Sequence, residues 1–196
     1  MKFAHWLSII LAYLLMGLSA SAKPPTMPVA PTDSVYNLDL RLVDQDGKAF
    51  ELRSLRGQPI LVSMFYTSCK YTCPLTIEQI RRTVSALSEA DRKNIRVLMV
   101  SFDPVRDTPA VLRATGAEHH VDFSHWTLAR TNAEDVRKFA AIMGIQYRAM
   151  TNGDFNHSTV VTLLDRDGRI VTKSEQTGRL DPLLVEASSR VLHESQ

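Results

Sequence analysis

Ile60-Leu61-Val62-Ser63-Met64-Phe65-Tyr66 is a near-continuous apolar run, and it ends three residues before the first of two cysteines, Cys69 and Cys73. A strand that does not alternate apolar with polar must be covered on both faces. The chain therefore has to place a layer on each side of a sheet. Pro74 suits the first turn of a helix that follows, where a missing N–H costs nothing. Cys73, Ile77, Ile80, Val84 and Leu87 then recur at intervals of four, three, four and three, which is one apolar stripe at helical period. Cys73 belongs to the inward face of that helix. Cys69 falls on the strand-to-helix corner.

The flanking sequence continues the same alternation. Leu38, Leu40 and Leu42 repeat with period two, Asp46-Gly47 signals a tight turn and Ala49 to Leu52 returns, which predicts an N-terminal β-hairpin. Ile95 to Phe102 is a second buried strand. Thr108 before Pro109 caps a short helix ending near Gly116. His125 to Ala129 suits a short strand. Asn132, with Glu134 and Asp135 in the first turn, opens a helix whose core stripe is Val136, Phe139, Ala140 and Met143 and which Gly144 ends. His157 to Leu164 reads as one strand, Asp165 to Gly168 as a turn and Arg169 to Lys173 as the returning strand. Asp181-Pro182 starts a last helix with Leu183, Leu184, Ala187 and Val191 inward. Alternation of this kind predicts an α/β domain, a central mixed sheet with helices on both faces. A βαβ unit followed by a hairpin and a helix resembles the thioredoxin fold, whose chemistry also lies at the helix N-terminus after a central strand.

Residues 1–22 have the layout of a secretory signal peptide. Lys2 gives a positive start, Trp6 to Leu18 is apolar apart from Ser8 and Gly17, and Ser19-Ala20-Ser21-Ala22 offers a small-residue cleavage site. The alternative is an uncleaved anchor, for which the apolar stretch is short against the ~20 residues of a span. A lipid anchor on an N-terminal cysteine is excluded, because no cysteine lies near the site. Residues 23–34 carry Pro24, Pro25, Pro28 and Pro31 and read as an extended linker. Residues 35–196 then form one domain. A formal net charge of +2 gives no reason to expect nucleic acid or an anionic membrane as partner. Export predicts a periplasmic location, an oxidising compartment in which a cysteine pair defaults to a disulfide.

The spacing Cys-x-x-x-Cys bears on that default. On a helical turn it sets two sulfurs on one face, one above the other, which suits gripping a soft ion. A disulfide remains allowed, since Cα atoms about 6 Å apart lie within the bridging range. Thiolates select Cu(I), zinc or iron–sulfur clusters, and two sulfurs leave such an ion short of ligands. Six histidines could complete it. His5 lies in the leader and His193 near the C-terminus. His119, His120 and His125 cluster around one loop and read as solvated or structural. His157 follows a loop containing Asn152, Gly153, Asp154 and Asn156. In a thioredoxin arrangement that loop lies beside the cysteine corner, so His157 is either a ligand or a turn residue.

Three segments together resemble the Sco (SenC) copper-chaperone family: Phe65 to Pro74; Ser101-Phe102-Asp103-Pro104-Val105-Arg106-Asp107-Thr108-Pro109; and Asn156-His157-Ser158 leading to Leu164 to Arg169. The resemblance runs from about Val35 to the C-terminus. It implies a thioredoxin-like, exported or membrane-tethered protein that binds one copper ion, Cu(I) or Cu(II), through Cys69, Cys73 and His157. It also implies a role in assembling the copper site of cytochrome c oxidase or a related cuproenzyme. Asp103 matches an acidic residue near the metal. Its other reading is a turn residue before Pro104. Lys70 stands where the family often has proline, and Asn156 where it often has aspartate, so charge beside the site differs. The implied partners are a cuproenzyme client, foremost a cytochrome c oxidase subunit, and an upstream copper donor or a thiol reductant; no nucleic acid is expected, and membrane contact comes only through the client or an uncleaved N-terminus.

The competing function is enzymatic: a thiol–disulfide oxidoreductase that uses Cys69 and Cys73 as a redox-active pair to reduce a cuproenzyme client and has no need of His157. A peroxidase of the peroxiredoxin pattern wants threonine three residues before the reactive cysteine, and Tyr66 and Lys70 occupy those positions. A purely structural disulfide would close a very short loop and remove little chain entropy, so it would stabilise weakly. As a metal carrier the protein needs both thiols reduced, with the disulfide as its oxidised, metal-free alternative.

Overall fold

The computed structural model describes residues 30–194. The leader and most of the proline-rich linker lie outside the described residues. Strands β1 (Arg41–Asp44) and β2 (Ala49–Glu51) form the expected N-terminal hairpin. β3 (Ile60–Phe65) runs to the cysteine corner, and helix α1 (Thr72–Ala86) leaves it. Then follow α2 (Glu89–Asn94), β4 (Arg96–Ser101), α3 (Pro109–Glu118), β5 (Trp126–Arg130) and α4 (Ala133–Met143). Two short strands, β6 (Tyr147–Ala149) and β7 (Phe155–His157), precede the hairpin β8 (Val161–Leu164) and β9 (Ile170–Ser174) and the last helix α5 (Pro182–His193).

Seven strands make one mixed sheet in the order β2-β1-β5-β4-β3-β8-β9. β3, β4 and β5 are parallel neighbours, and β1, β8 and their partners run antiparallel. Every position of β3 is buried, so both of its faces are covered, as its unbroken apolar run requires. α5 packs on β8, β9 and α1, while α3 packs on β5 and β1. The expected inward residues of α1 and α4 are in the core: Cys73, Ile77 and Ile80 from one, Val136, Phe139, Ala140 and Met143 from the other. Gly144 ends α4 in the left-handed conformation with φ +73°, closing on the carbonyls of Ala140 and Ala141.

Four local readings differ from the structure. Leu183 of α5, expected inward, is exposed, while Leu184, Ala187 and Val191 are buried as expected. The span expected as one strand from His157 to Leu164 is broken in two. β6 and β7 form a separate ribbon, pairing Tyr147 with His157, and the chain leaves it at Ser158. There the Ser158 hydroxyl accepts the N–H of Gln146 at 3.0 Å, a side-chain bond that takes the place of a ladder bond. α2 has no apolar stripe, so periodicity does not reveal it. It stands on Ser88, whose hydroxyl accepts the N–H of Asp91, with Glu89 and Asp91 beside the helix N-terminus. α1 begins at Thr72, which leaves Cys69 in the loop before it rather than on a helical turn.

The start of the described chain is tied to the β8–β9 turn. The Ser34 hydroxyl donates to the carbonyl of Asp167, and the N–H of Val35 donates to that of Gly168 at 2.9 Å. Gly168 has φ +81°, and a Cβ there would run into the Tyr36 ring. Gly47, in the first hairpin, has φ +77° but open space around it. Gly168→Ala is expected to lower stability by about 2–3 kcal/mol and Gly47→Ala by about 1 kcal/mol, the difference measuring the Tyr36 clash. Urea unfolding of the two variants against the parent checks this.

Candidate metal centre

The corner after β3 is held by a buried carboxylate. Asp107 accepts the Thr67 N–H at 3.1 Å, the Thr67 hydroxyl at 2.5 Å and the hydroxyl of Ser101 at the end of β4. Both strand ends are thereby satisfied away from water, and the chain is free to turn at Thr67-Ser68. The N–H of Cys69 then donates to the carbonyl of Tyr66 at 3.2 Å. Tyr71, at the N-cap of α1, makes no side-chain capping bond. The sulfur of Cys69 acts in its stead and accepts the Cys73 N–H at 3.3 Å. This fold-back, rather than a shared helical turn, brings the sulfurs together. Both cysteines are free; Cys73 is buried and Cys69 half-buried.

His157 arrives from the far end of the domain on the β6–β7 ribbon. Its ring stands edge-on to Tyr66, with centroids 5.9 Å apart, and tilted against Phe102 at 5.1 Å. Phe155 and Tyr147 extend this aromatic wall: Tyr147 stacks on Phe102 and Phe155 meets Tyr66 edge-on. Nδ1 lies 3.0 Å from the carbonyl of Ser158, which can only accept, so Nδ1 carries a proton. That fixes the tautomer in which Nε2 offers its lone pair. Nε2 lies 3.4 Å from the hydroxyl of Thr72, which is 3.2 Å from Cys69 Sγ. One ligand atom from each of Cys69, Cys73 and His157 lies within 4.8 Å of the others, and among the described residues these form the one cluster of this kind.

The two thiols share their proton unequally. A hydrogen bond from Cys73 is the main force pulling the Cys69 thiol far below the usual thiol range; burial opposes it, and contacts with His157, Thr72 and the Cys73 N–H add to it. Cys73 is pushed up, first by its bond to Cys69 and next by burial. The opposite directions favour the negative charge on Cys69 and the proton on Cys73. For His157, burial resists the charged form, but the bonds to Cys69 and the Ser158 carbonyl outweigh it and the pKa is raised. Tyr66, behind the cysteines, is pushed up to about 12, chiefly by burial. Two soft sulfurs and one imidazole fit the donor preference of Cu(I) or zinc rather than that of magnesium or calcium.

Asp103 is buried, but its carboxylate is taken up by Arg106: one oxygen accepts the Arg106 N–H at 3.2 Å and the other the guanidinium. Arg106 also donates to the carbonyl of Gly153, in the connection between β6 and β7. Asp103 thus reaches the His157 ribbon through Arg106. Lys70 and Asn156 are exposed. His119 and His120 end α3, and His193 pairs with Asp91 at 3.2 Å. Thr72 and Asp107 escaped the reading of the sequence. Thr72 immediately precedes the second cysteine, and Asp107 lies in the segment from Ser101 to Pro109, so position was the available signal for each.

The fold and this cluster define a thioredoxin-like domain with a Cys/Cys/His group able to hold a metal ion. The family profile described as SCO1/SenC matches residues 30–191, and the chain belongs to that family. It is 29% identical over 180 residues to an SCO2-like protein of Rickettsia prowazekii, across 82% of this chain and 85% of the relative. It is 27% identical over 135 residues to a protein of Stutzerimonas stutzeri named as copper-binding, across 67% of this chain and 65% of that one. The solved structure of Bradyrhizobium japonicum ScoI with copper bound superposes with a TM-score of 0.60 at 26% identity, covering 78% of this chain and 94% of that chain.

The thiol asymmetry has a measurable sign. A depressed Cys69 pKa keeps its thiolate present as pH falls through the range where an ordinary thiol protonates, near 8.5. In the reduced, metal-free protein, iodoacetamide is expected to label Cys69 at a rate that stays nearly constant from pH 8 down to pH 6, while Cys73 resists labelling. Peptide mass spectrometry across that pH series checks the assignment; a tenfold fall per pH unit at Cys69 would contradict it.

Proposed function

We propose that this chain is a copper metallochaperone of an exported compartment, and that it assists copper-site assembly in cytochrome c oxidase or a related cuproenzyme. The observation that carries the reading is the convergence of Cys69, Cys73 and His157 within 4.8 Å from three points of the chain. Membership of the SCO1/SenC family supports it, as does the copper held by a relative with the same fold. Copper is the cargo. The thiolates of Cys69 and Cys73 and the Nε2 lone pair of His157 supply three donors suited to Cu(I), and the imidazole also suits Cu(II). Three protein ligands leave one side open to a client's ligands, so cargo passes by stepwise ligand exchange. Residues 1–22 serve as the export leader, residues 23–34 as the linker and residues 35–196 as the copper-binding domain, in the periplasm. Asp103 acts on the site indirectly, steadying the ribbon through Arg106. The partners are the cuproenzyme client and an upstream copper donor or thiol reductant.

The asymmetric pair favours a second reading. A stable thiolate beside a protonated partner thiol is also what a thiol–disulfide oxidoreductase requires, with Cys69 attacking and Cys73 resolving. The two tasks separate at His157. Reduced protein is expected to take up one Cu(I) per chain in competition with a Cu(I) chelator. Cys69→Ser is expected to abolish this uptake. His157→Ala is expected to weaken it by more than the ~10–100-fold typical of losing an outer-sphere partner. Copper binding unchanged in His157→Ala would sink the three-ligand site, and disulfide-reductase turnover equal in His157→Ala and parent would favour the enzyme.

A further inference from the structure

One hydroxyl stands between the sulfur and the imidazole. Thr72 Oγ1 is 3.2 Å from Cys69 Sγ and 3.4 Å from His157 Nε2. Thr72 is the first residue of α1, and its carbonyl accepts the Thr76 hydroxyl at 3.0 Å. Threonine in a helix is restricted to two side-chain rotamers, and the one observed sets the hydroxyl between sulfur and imidazole. A hydroxyl has one proton to donate. In the metal-free site the sulfur and the Nε2 lone pair both lie within its reach.

We propose that Thr72 is a positioning residue which donates its hydroxyl proton to the Cys69 sulfur when copper is held, and thereby biases the site toward Cu(I) over Cu(II). The inference rests on the copper-holding reading above. Nδ1 of His157 is committed to the Ser158 carbonyl, so Nε2 is the nitrogen available to a metal. Once that lone pair is engaged, the Cys69 sulfur is the acceptor left to the Thr72 hydroxyl. A hydrogen bond to a thiolate draws charge from sulfur. It weakens donation to the dication more than to the monocation, and hydrogen bonding around a cysteine sulfur is an established lever on copper potentials. Before loading, the same hydroxyl keeps sulfur and imidazole on a common side, so less rearrangement accompanies binding.

The test compares Thr72→Val, which keeps the shape and loses the hydroxyl, with Thr72→Ser, which keeps the hydroxyl. Thr72→Ala gives a second chain without the hydroxyl and separates any packing effect of the valine methyl. Each is titrated with Cu(I) and with Cu(II) against chelators, and the sulfur-to-Cu(II) charge-transfer absorption is recorded. Thr72→Val and Thr72→Ala are expected to raise the ratio of Cu(II) to Cu(I) affinity about tenfold and to move the absorption to longer wavelength. Thr72→Ser is expected to match the parent on both. An unchanged ratio and spectrum in Thr72→Val and Thr72→Ala, with the parent binding copper normally, would overturn this inference alone. A parent that binds neither ion would overturn it together with the copper-holding reading.

Discussion

Parallel strands β3 and β4 end side by side beneath two layers of helix, where the last polar groups of each strand cannot turn to water. Asp107 accepts from both ends, taking the N–H and hydroxyl of Thr67 and the hydroxyl of Ser101. A carboxylate can take several donors at once, and a buried one is tolerated where they are supplied. The corner that carries Cys69 starts from this clamp. The turn at Thr67-Ser68 comes directly after it, followed by the fold-back of the Cys69 sulfur onto the first turn of α1. The two cysteines of the candidate site are consequently mounted where two buried parallel strands end.

The geometry unites two demands that usually conflict. A metal carrier needs soft donors kept reduced and accessible, and a folded domain needs its helix N-terminus satisfied. Here one sulfur meets both demands, since Cys69 accepts the Cys73 N–H and is a candidate ligand. The partial positive charge at the start of α1 favours the anionic sulfur. Cys73 is packed among the core residues of α1, so it supplies a donor whose position is set by burial. The two cysteines therefore have different mechanical supports and different acidities, although they lie one turn apart in sequence.

The fold was legible where burial writes itself into period. The unbroken apolar run of β3, the stripe from Cys73 to Leu87 and the cap at Asn132 each point to the element observed. α2 was hidden because its six residues present no apolar face, and the break at Ser158 was hidden because the serine side chain, not the pattern, decides it. At the site, Cys69 and Cys73 stood out because the chain has only two cysteines, whereas position alone left His157 between a candidate ligand and a turn residue, and the family resemblance singled it out from six histidines. Thr72 and Asp107 did not stand out, because a threonine and an aspartate in a loop are ordinary turn residues until their distances to other groups are known. Asp103 attracted notice through resemblance, yet the carboxylate that touches the corner belongs to Asp107, four residues on.

The β6–β7 ribbon contributes no strand to the seven-stranded sheet. It is held to the domain by aromatic packing on Phe102 and by the Arg106 bond to Gly153. Exchange of the residue at position 157 would therefore alter the Cys/Cys/His cluster without breaking a bond of the main ladder. The third member of the Cys/Cys/His cluster is thus carried apart from the strands that pair in the main sheet. Such a scaffold is open to divergence: the residue at position 157 can change while the sheet, the cysteine corner and the stability they provide are inherited unchanged.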